Sequence, residues 1–360
     1  MAVIDGLDRA LAGSGQPGLV ELRAVLADQL LAMGPAKLVA EERLKPRVFR
    51  LRFEVGDRAR SFVVKRMEPA EALRNELATR RWLPAQGLDG VTPAIAGIAA
   101  ERGGHWVWHA YENLDAQALE TDRPDPGRVA AVVRVVAMLH SRFAEHPWLA
   151  ECRQHGKDLG IAYFSSNVRD AIHALDALRP PHVSPSGEQA ALRDRLLGRL
   201  RCLRDELPLR ARALEEWGGP ETFLHGDLWT TNTFVEPAPD GLKARLIDWD
   251  HAGVGPASYD VSTFLLRFDP ADRPWILDLY RQAAGHGWSR SGVRELNLLF
   301  ETAELARYAN RVIWPAIALR REQVTWGFPA LADIESWFEA LRPVVPVDPP
   351  QDAPVAPEQG

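Results

Sequence analysis

Apolar and polar positions change period several times along the chain. Leu19, Leu22, Val25, Leu26, Leu30 and Leu31 recur at helical spacing and Gly34-Pro35 ends the run, so residues 1–34 are expected as a helical extension. Between Val48 and Val55 apolar residues alternate with polar ones, Gly56-Asp57 reads as a turn, and residues 61–65 read as the returning strand. On that strand Lys65 points opposite to Phe62 and Val64, away from the core those two would enter. Pro69 opens a helix over 70–83, with Leu73, Leu77 and Arg80 on one stripe and Glu76 at its margin. Residues 94–100 and 105–111 read as two more strands around Arg102-Gly103-Gly104.

From Pro124 the pattern becomes helical, with helices expected over 129–143, 189–207, 261–268, 275–284, 293–307 and 308–319. Residues 151–185 give no clear period. His140, near the end of one of these helices, reads as packing and capping. The segment 343–360 is rich in proline without a core pattern and is expected as a disordered tail.

At 360 residues, with 46% hydrophobic and 26% charged residues, the chain is long enough for two cores and has an ordinary soluble composition. A net charge of −6 provides no basic footprint for nucleic acid. Cys152 and Cys202 have neither a C-x-x-C partner nor a histidine cluster, so they read as two reduced, buried thiols of a cytoplasmic protein. The N-terminus carries acids and lacks the apolar core of a signal peptide, and no run reaches the ~18 apolar residues of a membrane span.

The most informative stretch is F-L-H-G-D-L-W-T-T-N-T-F-V, residues 223–235. Its D-x4-N spacing, Asp227 to Asn232, matches the loop in which kinases carry a catalytic base and a metal ligand. Asp248 follows in A-R-L-I-D-W-D, at the end of a short apolar strand. Phosphoryl transfer needs such a set: one carboxylate for the attacking hydroxyl, and an amide and a second carboxylate for metal ions that neutralise phosphates. The bland alternative is two hairpin strands whose turn Asp227 and Asn232 merely cap. Lys65 alone reads as a solvated strand-end lysine and Glu76 alone as a surface helix residue; with the later motif they read as a lysine held against phosphates by a carboxylate. Asp260, in G-V-G-P-A-S-Y-D, caps the next helix.

H-G-D-L-W-T-T-N, L-I-D-W-D, G-V-G-P-A-S-Y-D-V-S and the acid-to-Trp spacing of E-L-A-T-R-R-W-L resemble the aminoglycoside phosphotransferase and choline kinase-like enzymes, over about residues 38–342. The resemblance implies an α+β, two-lobed protein-kinase-like fold with a small antiparallel-sheet N-lobe (35–111) and a larger, mainly helical C-lobe (112–342), hinged near 109–114 where ATP adenine would bind. It implies Asp227 as catalytic base, Asn232 and Asp248 as Mg²⁺ ligands, Lys65 on the phosphates, and Glu76 positioning Lys65. His225 and Asp260 would brace the loop, and Asp250 would touch metal or substrate. The implied partner is a small-molecule hydroxyl substrate, in a site built by helices over roughly 261–341, where Glu301 and Glu304 could meet a cation. The same chain read as a pseudokinase would be a nucleotide-binding regulator or scaffold. One departure stands out: residues 42–46, E-R-L-K-P, expected to cover the phosphates, contain no glycine to bring backbone amides close, leaving Lys45 or Arg47 to act by charge.

Overall fold

The computed structural model describes residues 4–31, 33–114, 116–239, 241–285 and 291–346. It is a mixed α and β structure with an antiparallel sheet in its N-terminal part and a helical C-terminal part. Contacts divide it into two compact units, Met1–Lys157 with Thr222–Val254, and Asp158–Glu221 with Gly255–Gly360. The stretch 223–235 therefore groups with the N-terminal sheet, not with the helices that follow it.

In the first unit, β1 (Ala36–Lys45), β2 (Val48–Val55), β3 (Arg58–Met67), β4 (Ile95–Ala100) and β5 (Val107–Glu112) form one antiparallel sheet in the order β1-β2-β3-β5-β4. The alternation that marks β2 buries Phe49, Leu51, Phe53 and Val55 on one face. Helix α1 (Leu19–Leu31) lays Leu22, Leu26 and Leu30 on the same face, joined by Ile4, Leu7 and Leu11. The N-terminal extension is thus part of the sheet's core, and Leu31, expected on its apolar stripe, is exposed.

The segment expected to loop over the phosphates is instead the end of β1: Lys45 pairs with Val48 across a two-residue turn, Pro46-Arg47. Its charged residues hid a strand that lies at the sheet edge, where exposed charge blunts unwanted pairing. The helix after β3 also differs from expectation. Helix α2 (Pro69–Leu77) begins with a capping box from Glu68 and Glu71, then passes through a π turn over Ala78–Trp82. Its buried face is Ala72, Asn75, Ala78 and Trp82, while Leu73 is exposed.

Further along, α3 (Pro126–Phe143) packs on the hairpin over residues 233–246, and α4 (Leu149–His155) ends at Gly156. Helix α3 buries His140, whose carbonyl accepts a 2.7 Å bond from Thr222 Oγ1. Cys152 is buried, and burial pushes its thiol up to about 12; Cys202 is exposed, contrary to expectation. The strip β6 (Gln117–Ala118), β8 (Thr233–Ala238) and β9 (Gly241–Leu246) forms a small sheet, reached through the strand β7 (Glu221–Leu224).

The second unit is helical: α5 (Ile161–Asp176), α6 (Gly187–Asp205), α7 (Leu207–Trp217), α8 (Ser258–Leu265), α9 (Arg273–Ala284), α10 (Val293–Glu322) and α11 (Gly327–Ala340). The two helices expected over 293–319 are one, α10, with Pro315 inside it. Leu305, Ala309, Val312 and Ala316 of α10 pack against Val168 and Leu175 of α5 and Leu331 of α11. Glu304 is buried and accepts from Ser262 Oγ at 2.9 Å and from Arg307, while Glu301 pairs with Arg210 at 2.9 Å. Both acids therefore have internal partners. Val344 and Val345 are buried, and the Val345 backbone exchanges two hydrogen bonds with Asn297, at 2.8 and 2.9 Å. The start of the segment expected as a tail is therefore packed at Val344 and Val345, and its part from residue 347 lies outside the described residues.

Candidate active site

The strand β7 delivers Phe223 and Leu224 into the core of the first unit, and His225-Gly226-Asp227 follows at once. Three aromatic contacts hold the entry: Phe223 stacks on Trp249 at 5.8 Å, and it packs against Trp82 and Phe143 at 5.3 and 5.0 Å. His225 is fully buried; its Nε2 donates to the Ile247 carbonyl at 2.9 Å, and its Nδ1 accepts from the Asp227 backbone N–H at 3.3 Å. The ring thus ties the loop to the strand that carries Asp248. Gly226 has φ +79°, and a Cβ there would lie 2.0 Å from the His251 carbonyl oxygen. Both conditions require glycine, which explains H-G-D at this position.

Asn232 closes the loop. Its Nδ2 donates to the Asp227 carbonyl at 3.0 Å and to Asp227 Oδ2 at 3.4 Å, and its own carbonyl accepts from Ile247 N at 3.0 Å. Asp227, Asn232 and the residue before Asp248 are thereby brought into one hydrogen-bonded set. Asp248 itself adopts the left-handed conformation, φ 72° and ψ 60°, sparsely populated by non-glycine residues and concentrated at functional sites.

Lys65, from β3, reaches this set. Its Nζ lies 2.5 Å from Asp248 Oδ1 and 2.6 Å from Asp250 Oδ2. Burial alone would lower the lysine, but the two carboxylates outweigh it and hold its pKa above the ordinary value. Burial raises Asp250, to about 6, with Lys65 pulling down and the Asp248 charge pushing up. For Asp248 burial acts upward too, but Lys65 prevails and the carboxyl is held below its usual range.

Glu76 is not brought to Lys65. It pairs with Arg80 one turn on, at 3.3 Å, on the half-exposed side of α2. The residue that faces the site is its neighbour Asn75, about 100° around the helix and buried. Asn75 Nδ2 donates to Asp250 Oδ1, and its Oδ1 accepts from Trp249 N at 3.2 Å and from Tyr111 Oη at 3.4 Å. Arg74 adds a bond to the Asp250 carbonyl. An amide among charged residues gave no sequence signal; only the rotation of α2 reveals it.

Beside this cluster lies a cavity of about 260 Å³ within the first unit. Leu44, Val48, Val63, Leu114, Phe234 and Ile247 provide its apolar wall, and Lys45, Arg50, Lys65 and Asp248 its charged edge. From the stretch 109–114 expected as the hinge, Tyr111, Glu112, Asn113 and Leu114 line it as well. Of the two cations expected to replace the missing glycines, Lys45 lines the cavity, whereas Arg47 lies over the Trp106 ring at 4.8 Å. Arg50, unremarked in the sequence, bonds Asn113 Oδ1 at 3.0 Å and Glu42 at 2.8 Å. Asp260 is buried in the first turn of α8 in the second unit.

The donor set suits a hard cation: carboxylate and amide oxygens, with no thiol or imidazole cluster. Among the described residues no three His, Cys, Asp or Glu side chains converge as a metal site. Mg²⁺ held on nucleotide phosphates takes only one or two protein carboxylates, a donor set that Asp248 with the Asn232 amide would supply.

Solved structures share the architecture. The spectinomycin phosphotransferase APH(9)-Ia, in complex with ADP and spectinomycin, matches 89% of this chain and 94% of its own at 12% identity, with a TM-score of 0.53. The Plasmodium vivax ethanolamine kinase Pv091845 matches 93% of each chain at 10% identity, with a TM-score of 0.58. The macrolide 2'-phosphotransferase MphH from Brachybacterium faecium, an apoenzyme, gives 0.51 over 86% and 96% of the two chains at 16% identity. At such identities these likenesses establish the fold, that of the aminoglycoside phosphotransferases and choline kinases. No curated protein matches the sequence. The family model does match, over residues 46–296, a span that holds Lys65, Asp227, Asn232 and Asp248, and the chain belongs to the APH phosphotransferase enzyme family.

Proposed function

We propose that this phosphotransferase is an ATP-dependent kinase that phosphorylates a hydroxyl of a small molecule, with Asp227 as general base. The observation that carries the reading is the bonded set Asp227–Asn232 next to the Lys65–Asp248 pair, at the edge of a cavity suited to a nucleotide. Asp227 orients the acceptor hydroxyl and takes its proton, while the Asn232 amide and the His225 ring fix its geometry. Lys65 donates to phosphate oxygens. The oxygens of Asn232 and Asp248 are the candidate ligands for Mg²⁺, which when bound neutralises phosphate charge. Adenine packs against the apolar wall and the segment 112–114. The ADP in the complex of the similar spectinomycin enzyme supports a nucleotide in this fold. Among the described residues no helix is long and apolar enough to cross a membrane.

A second reading, a nucleotide-binding scaffold without turnover, draws on the glycine-free β1–β2 turn. The retained Asp227 counts against it, because a scaffold has no use for a base. The two are separated by offering hydroxylated metabolites and antibiotics to the protein and following acceptor-dependent ADP or GDP release. At least one acceptor should raise release in the wild type and not in Asp227→Asn. Nucleotide binding without release for any acceptor would favour the scaffold.

A further inference from the structure

Two cations, Lys157 and Arg74, meet beside the segment that abuts Asp227. Lys157 follows Gly156, where α4 ends, and its backbone N–H donates to the Ala252 carbonyl at 3.1 Å. Its Nζ donates to His251 Nδ1. His251 is also the residue whose carbonyl lies against Gly226, immediately before Asp227. The lysine is therefore fixed to the segment that abuts the catalytic loop. Arg74 comes to the same place from α2: its guanidinium bonds the carbonyls of His155, at 3.3 Å, and Asp250.

Neither cation has a carboxylate within ion-pair distance among the described residues. Lys65 is different, since Asp248 and Asp250 already neutralise it. Burial first, and then the charge of Arg74, push Lys157 down to about 8, against upward pulls from Asp227, Glu71 and Asp250. The His251 ring, lowered to about 4 by burial and by Lys157, stays a neutral acceptor at physiological pH. Two like charges held close in a partly desolvated place repel, and an anion bound there relieves the repulsion. Lys157 feels the charge of the Asp227 carboxylate and is held to the segment that abuts Gly226, on the side of the candidate base.

We propose that Lys157 is a further catalytic residue, whose ammonium, steered by His251 and backed by Arg74, contacts the oxygens of the phosphoryl group in transit. The proposal rests on the kinase reading above. No bond to Lys157 forms or breaks; the lysine offers donors aimed at charge that spreads over the phosphoryl oxygens in the transition state, the kind of preorganised donor worth roughly 10²–10³-fold in rate. Lys157 lies outside every motif and sits in a two-residue strand, Lys157–Asp158, too short to leave a period in the sequence.

The test needs no identified acceptor. Calorimetry measures MgADP binding to the full chain with and without tetrafluoroaluminate, a mimic of the phosphoryl group in transit. Wild type should bind MgADP at least about tenfold more tightly with the mimic present. In Lys157→Met, MgADP alone should bind within about twofold of wild type and the tightening should vanish, while Lys157→Arg should keep part of it. A Lys157→Met protein that tightens as wild type does overturns the assignment and leaves the kinase reading intact. Should Lys157→Met fail to fold, Lys157→Gln is read against the same criterion. Equal loss in Lys157→Arg and Lys157→Gln together with weakened MgADP binding also overturns it, since that pattern belongs to a structural lysine. A wild-type protein that binds no MgADP removes the kinase reading, and this inference with it.

Discussion

Lys65 bridges two carboxylates, so its removal has a consequence beyond nucleotide binding. In Lys65→Ala, Asp248 and Asp250 are left side by side without their cation, with side-chain exposures of 25% and 15%. Removing one partner of a fully buried pair costs about 3–5 kcal/mol. Partial solvent access screens this cluster, so about 2 kcal/mol is the reasonable figure here. For a cooperative unit of this size that is a fall of roughly 4–8 °C in melting temperature. The same vacancy should make the pair a better site for a divalent cation. Differential scanning calorimetry of the nucleotide-free proteins tests both points, with Lys65→Met as a companion that keeps the apolar stem. Mg²⁺ should raise the melting temperature of both variants more than that of wild type. A variant as stable as wild type, with no larger response to Mg²⁺, would mean that the Lys65–Asp248–Asp250 cluster is not held as described.

Asn75 and Glu76 offer a second contrast. Asn75→Ala removes the amide that bonds Asp250 and Trp249, and it should cost about 1–3 kcal/mol in urea unfolding and weaken Mg-nucleotide binding. Glu76→Ala breaks only a partly exposed pair with Arg80 and should change stability by less than about 0.5 kcal/mol; a larger nucleotide defect in Glu76→Ala than in Asn75→Ala would reverse the assignment. His109 predicts a pH dependence. Burial, then Arg80 and Lys65, lower it to about 3 from the ordinary 6.5, so the folded state holds fewer protons than the unfolded state across that window. The contribution is present above about pH 6.5 and is lost on acidification by up to ~1.4 kcal/mol per pH unit. His109→Gln should therefore lose about 2 kcal/mol less than wild type between about pH 7 and about pH 5 in urea titrations, and parallel curves would refute the buried neutral ring.

Much of the fold was legible because burial leaves a period. The strand Val48–Val55 is bounded as its alternation predicts, and α3, α8 and α9 lie near their expected positions. What was illegible has physical causes. Strand β1 is charged because it lies at an edge, so alternation is absent where hydrogen bonding alone makes the strand. Helix α2 turns Ala72 and Asn75 inward and leaves Leu73 exposed, so a stripe counted on apolar residues picked Leu73 instead of Asn75. The motif residues Asp227, Asn232, Asp248 and Lys65 come together as their spacing suggested, since their positions follow from local turns and one strand face. Glu76, Asn75 and Lys157 depend on how α2 and the short strand after α4 rest against the Asp248–His251 segment, and single-sequence patterns hold no record of that.

The central claim is that Asp227 is the base of a phosphoryl transfer. Asp227→Asn keeps size and shape but cannot accept the proton. Once an acceptor is found, the direct measurement is its steady-state phosphorylation by wild type and Asp227→Asn, alongside Mg-ATP dissociation constants for both. General-base assistance is worth ~10²–10⁴-fold, so the variant should fold, bind Mg-ATP within about threefold of wild type, and turn over at least roughly a hundredfold more slowly. Phosphorylation of the same acceptor by Asp227→Asn at near wild-type rate would contradict the mechanism.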